Sequence, residues 1–105
     1  MNDQEQQEMK AKLIELGFWG TTEYGDPVIN YHDSQTLQER LARSLADDVT
    51  LASIGFTIPS QARRVEVVKG EFIYPLVTAD SYPEAICLAA LALPGFLKQH
   101  PECAA

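Results

Sequence analysis

Ser81-Tyr82-Pro83-Glu84-Ala85-Ile86-Cys87-Leu88-Ala89-Ala90-Leu91-Ala92-Leu93 is the stretch on which the reading of this chain turns. Ser81 and Glu84 stand three apart, the spacing of a capping box, in which each side chain satisfies a free backbone N–H at a helix start. Pro83 fits the first turn, where amides have no helical partner. Ala85 to Leu93 then runs without a polar residue. A helix apolar all round needs cover on several sides, from a sheet, another helix or a second subunit. Pro94-Gly95 is expected to stop it, with Phe96-Leu97-Lys98 adding a last turn before a loose tail.

Immediately before this helix lie two β-like runs, Arg63 to Val68 and Glu71 to Thr78, joined at Lys69-Gly70. The glycine suits a tight hairpin that needs positive φ. Arg64 and Glu66 alternate with Val65 and Val67, which predicts one wet face, and adjacent Arg63 and Arg64 then point to opposite sides. Pro75 lacks a backbone donor, so its strand is an edge or carries a bulge. A further strand is predicted from Thr50 to Ile58, closed by Pro59-Ser60.

Two more helices precede these strands. The first runs from Asp3 to Leu16, with Met9, Leu13 and Leu16 as its buried stripe, Ile14 beside it and Gly17 as its stop. The second runs from Gln35 to Ala46, capped by Asp33 or Ser34, with Leu37, Leu41 and Leu45 inward and Glu39 and Arg43 paired outside. Asp47 and Asp48 oppose the helix dipole and end it. Between the two, Phe18 to Tyr24 and Val28 to His32 flank Gly25-Asp26-Pro27 and read as a β-hairpin. The expected fold is therefore α+β, a small layered sandwich of three helices on an antiparallel sheet of about 4–5 strands.

The chain has 105 residues, enough for one domain with its own core and too few for two. Its net charge of −7 disfavours direct binding to nucleic acid but leaves basic proteins as partners. The N-terminus is polar and acidic, unlike a signal peptide, and the longest apolar run is far short of the ~20 residues of a membrane span. Two cysteines make no disulfide framework, so a cytoplasmic protein of a bacterial host cell, without membrane association, is expected.

The run Thr78-Ala79-Asp80-Ser81-Tyr82-Pro83-Glu84-Ala85-Ile86-Cys87-Leu88-Ala89-Ala90-Leu91 resembles the closing helix of the phage ABA-sandwich domain family, and Lys12-Leu13-Ile14-Glu15-Leu16-Gly17-Phe18-Trp19 resembles that family's first helix and the entry to its first strand. The resemblance is confined to these segments; residues 33–70 have no counterpart in it. It implies a phage or prophage origin and a layered α/β fold, and no activity, because that family offers no established catalytic residues.

Chemistry-bearing residues are few. His100 and Cys103 are close in sequence, and His32 and Cys87 are isolated, which falls short of the paired ligands of a zinc site. Cys87 lies in an Ala- and Leu-rich run with no base beside it and reads as a small buried hydrophobe, while Cys103 reads as a free tail thiol. Asp26, Asp33, Asp47 and Asp48 are each explained as turn or cap residues rather than a carboxylate centre. No phosphate-binding loop, serine elbow or metalloprotease motif occurs. The reading is a non-enzymatic protein with no cofactor and no metal, which acts by binding an unidentified protein. Trp19, Tyr24 and Tyr31 form its candidate binding surface, with packing under the third helix the favoured role for Trp19 and the two tyrosines left open. The acidic charge suggests inhibition of a host nucleic-acid or defence enzyme. The alternative is a structural or self-assembling protein, a homo-oligomer joined through the apolar helix Ala85–Leu93.

Overall fold

A computed structural model describes residues 2–55 and 63–105. The helices are α1 (Asp3–Glu15), α2 (Tyr31–Ala42) and α3 (Tyr82–Gln99); the strands are β1 (Val49–Gly55), β2 (Arg63–Lys69) and β3 (Phe72–Ala79). A 3-10 turn, Pro101–Cys103, follows α3. The strands form an antiparallel meander in the order β1-β2-β3. Among the described residues the sheet has three strands rather than the expected four or five, and the segment 18–30 is not a hairpin.

That segment folds as turns, with local polar groups taking the backbone bonds a β-ladder would otherwise supply. Arg40 Nη1 donates to the Phe18 carbonyl, and the Asp33 carboxylate accepts from the Asp26 amide. The Asp26 carboxylate accepts in turn from the Val28 amide, and Glu23 from the Gly20 amide. Gly25 sits at φ +93°, with the Asp33 carboxylate where a Cβ would go. The hydroxyl of buried Ser34 donates to the carbonyls of Pro27 and Asn30. So Asp33 and Ser34 are not N-caps; they hold the preceding turn, and Asn30 caps α2 by accepting from the Asp33 amide. The helix therefore starts at Tyr31 and ends at Ala42, earlier than Ala46.

α1 begins at an Asn2 cap that accepts from the Glu5 amide, and Gly17 at φ +84° reverses the chain beyond it. Phe18 and Trp19 amides then both bond to the Leu13 carbonyl. Met9 and Leu13 are buried as expected, but Leu16 is exposed at the helix end, where the chain turns away.

In the sheet, Gly70 at φ +60° turns β2 into β3. β3 is an edge strand of this meander and also carries an irregularity: Val65 pairs Val77 and Glu66 pairs Pro75, so Leu76 is the extra residue. Both outcomes expected of Pro75 thus occur together. Phe56 to Ile58 and Pro59-Ser60, expected as the end and stop of the first strand, lie outside the described residues. Glu66 corrects the wet-face reading: it is 4% exposed. Its carboxylate pairs with Arg64 Nε at 2.6 Å, and its cross-strand neighbours are Ala52 and Pro75.

α3 starts as the capping box requires, with the Glu84 amide donating to Ser81 Oγ. It does not stop at Pro94. Pro94 lies inside the helix, which continues to Gln99 and ends at His100. The reason is tertiary: Leu93 is fully buried, and Phe96 and Leu97 pack on the core, so the extra turns bury apolar surface against a missing bond. α3 packs on β2 and β3, with α2 beside it against β1 and α1 against α3. Ala85, Ile86, Cys87, Ala89, Ala90 and Leu93 are fully buried within the chain itself. One hydrophobic cluster joins all three helices and the sheet. No helix among the described residues is long and apolar enough to cross a membrane.

Residues 101–105 are not a loose tail. The Cys103 carbonyl accepts from the Ala46 amide, and the Ala105 amide donates to Ser44. Leu45 and Ala104 form a bridge, and Cys103 is completely buried.

Candidate functional site

The three candidate aromatics separate in space by role. Trp19 is 3% exposed, and its indole lies under the Arg40 guanidinium at 4.7 Å. Arg40 is held there by a bidentate pair with Glu23, both bonds 2.8 Å, which lowers the Glu23 pKa from its ordinary value. Tyr24 is 97% exposed, on a turn. Tyr31 sits on the first turn of α2, half-exposed, with its ring 4.6 Å from that of Tyr82. Trp19 is therefore part of the core, and the two tyrosines line no common strand.

Tyr82 forms a second aromatic corner. Its hydroxyl is hydrogen-bonded to Gln38 Oε1, and the Arg63 guanidinium stands 6.0 Å from its ring. Burial, with the Tyr31 phenol nearby, pushes its pKa up to about 12, so the phenol keeps its proton at neutral pH. The shallow, polar hollow beside it is lined by Gln35, Gln38, Glu39, Ala42 and Tyr82.

The histidines and cysteines do not converge on one site. Cys87 is buried in α3, its thiol donating to the Pro27 carbonyl at 3.4 Å. Cys103 is enclosed by the 101–105 segment rather than free in a tail. His100 closes α3 with Nδ1 3.3 Å from Glu102, and His32 is exposed on α2. Among the described residues, no group of three or more His, Cys, Asp or Glu is placed to hold a metal ion.

The feature that sequence reasoning missed lies at the hairpin end of the sheet. α3 runs back along β3, which brings its last turns beside the first residues of that strand. The rings of Phe96 and His100 stack at 4.6 Å, and Tyr74 meets both, at 5.5 and 4.7 Å. Phe72 continues the row, near-parallel to Tyr74 at 6.4 Å, and is 65% exposed. Ile73, beside it on the opposite strand face, is 59% exposed.

Below Phe72 is an open groove of about 370 Å³ lined by Asp48, Lys69, Gly70, Glu71, Phe72 and Glu102. It is built from three separate segments: the α2–β1 connection, the β2–β3 turn and the 3-10 turn. Lys69 Nζ donates to the Glu102 carbonyl at 2.8 Å, which ties the only cation of the lining to the wall. The Glu102 carboxyl has a lowered pKa, from its own backbone amide first and from His100 and Lys69. The sequence placed residues 71–78 in a strand, but neither the exposure of Phe72 and Ile73 nor the groove was legible, because the groove joins three segments distant in the chain.

The chain matches no family model, no curated protein and no solved structure.

Proposed function

We propose that this chain is a non-enzymatic phage or prophage accessory protein that acts by binding another protein, through the hairpin end of its sheet. The observation that carries the binding role is the exposure of Phe72 and Ile73 on an edge strand, beside a groove rimmed with carboxylates. Two large apolar side chains held outward cost solvation unless a partner covers them, and an aromatic anchor with a polar rim is the usual anatomy of a recognition patch. The phage origin rests on the resemblance of residues 12–19 and 78–91. The net charge of −7 favours a basic partner, such as the nucleic-acid-binding surface of a host enzyme.

The test is affinity capture from bacterial lysate with the whole chain and with a Phe72→Ser, Ile73→Ser variant. Both residues are exposed, so the variant keeps the fold, checked by circular dichroism. The expected result is one stoichiometric partner, retained by the parent chain and lost by the variant. Equal capture by both proteins, or no partner and a self-associated chain in light scattering, would overturn the reading.

A further inference from the structure

Resting on that protein-binding role and deepening it, we propose that the groove below Phe72 receives an arginine side chain of the partner, its guanidinium against the Phe72 ring and its charge facing Asp48 and Glu71. The Phe72 ring lies near-parallel to that of Tyr74, which in turn meets Phe96 and His100, so Phe72 extends a packed aromatic row while most of its own surface stays open. An exposed aromatic face attracts a cation, and a planar guanidinium, weakly hydrated, stacks on it better than an ammonium does.

The charge of the lining is unbalanced in the same place. Asp48, Glu71 and Glu102 contribute three carboxylates against Lys69. The Lys69 ammonium is engaged by the Glu102 carbonyl, and the Glu102 carboxylate by His100. Asp48 and Glu71 have no hydrogen-bond or ion-pair partner among the described residues. Two free carboxylates beside an open ring offer the planar, forked donor set of arginine what it needs: acceptors at its edge and π density at its face. The volume, about 370 Å³, is at the small end of the range of ligand pockets and suits one long side chain rather than a folded domain.

Two other hollows among the described residues have less to offer. The hollow at Tyr82 has its phenol and Gln38 already bonded to each other. The groove along α1, lined by Glu5, Glu8, Met9, Lys12, Glu84 and Leu88, mixes both charges and presents no exposed ring.

The probe is the peptide acetyl-Ala-Arg-Leu-Ala-amide, compared with its citrulline counterpart, which keeps the shape and loses the charge. Both are titrated into the 15N-labelled chain at 50 mM salt. The expected result is amide shifts confined to residues 47–49, 69–73 and 101–103. Binding should be at least tenfold weaker for the citrulline peptide, and at least fivefold weaker for Phe72→Ser and for the Asp48→Asn, Glu71→Gln pair. Raising the salt to 500 mM should weaken the arginine peptide and leave any citrulline binding unchanged. Shifts elsewhere, no shifts, or equal affinity for the two peptides would overturn this assignment. If partner capture still depends on Phe72 and Ile73 while the arginine probe fails, only this inference falls. If capture ignores those residues, the protein-binding reading falls as well.

Discussion

Glu23 and Arg40 illustrate how single side chains govern a segment that has no regular structure. Arg40 reaches from α2 to a carbonyl, a carboxylate and an indole face at once, and so fixes residues 18–23 against the helix. The pair lowers the Glu23 pKa below its ordinary 4.5. A carboxyl whose folded value is depressed stabilises the fold above the ordinary value and loses that contribution as pH falls through the folded one. Glu23→Gln should therefore lower the urea midpoint at pH 6, with the gap to the parent closing towards pH 3. A gap that stays constant across this window would show that the pair is electrostatically idle. At Cys87, burial first and the charges of Asp26 and Glu84 next push the thiol up to about 12. At pH 8 only roughly one molecule in ten thousand then carries the thiolate. Neither Cys87 nor Cys103, both fully buried, should react with a thiol reagent until denaturant is added. Rapid labelling of one equivalent in the native protein would refute the burial of the 101–105 segment or of the α3 core.

At the scale of elements, α3 is the most informative. Its start was readable because N-capping is a local code: Ser81 Oγ accepts from the Glu84 amide within the same turn. Its end was not readable, because Pro94-Gly95 is a local stop signal overridden by packing on both sides of it. Pro94 still removes one helical bond and crowds the preceding turn. Pro94→Ala should accordingly raise stability, by roughly 1–3 kcal/mol at most, measured as a shift of the denaturant midpoint at constant slope. A fall in stability would mean that the ring contributes packing worth more than the bond it removes. The segment 18–30 gives the converse lesson. Its aromatic and β-branched residues match strand preferences, yet Asp26, Asp33 and Ser34 form side-chain-to-backbone bonds that close turns instead, with Gly25 supplying a positive φ. β-preference reflects a pleated, half-buried setting more than a backbone tendency, and no neighbouring strand supplies that setting here.

For the molecule as a whole, residues 101–105 tie the α2–β1 connection to the β2 end of the sheet. They bond to the α2–β1 connection through Ala46 and Ser44 and to the sheet through Lys69, and they bury Cys103 beneath. Ending the chain after His100 should cost roughly 2–4 kcal/mol, from two backbone bonds at about 1 kcal/mol each and the burial of one small apolar side chain. Thermal unfolding of the shortened chain checks this, and an unchanged Tm would show the clasp to be ornamental. The same clasp forms one wall of the groove, so the shortened chain should also lose its response to the arginine peptide.

The sequence by itself determined what depends on neighbours within a few residues. It set the capped start of α3, the Gly17 and Gly70 reversals, the pairing of β2 with β3 around Pro75, and the leucine stripe of α2. Each is a matter of dihedral preference, local hydrogen bonding or hydrophobic period, which are properties of short stretches. Only the tertiary structure decided that α3 runs through Pro94, that Cys103 is buried, and that Glu66 sits almost out of solvent. It alone brought Asp48, Glu71, Phe72 and Glu102 around one groove. Those outcomes depend on which surfaces of segments distant in the chain meet, where the burial of apolar area outweighs local signals.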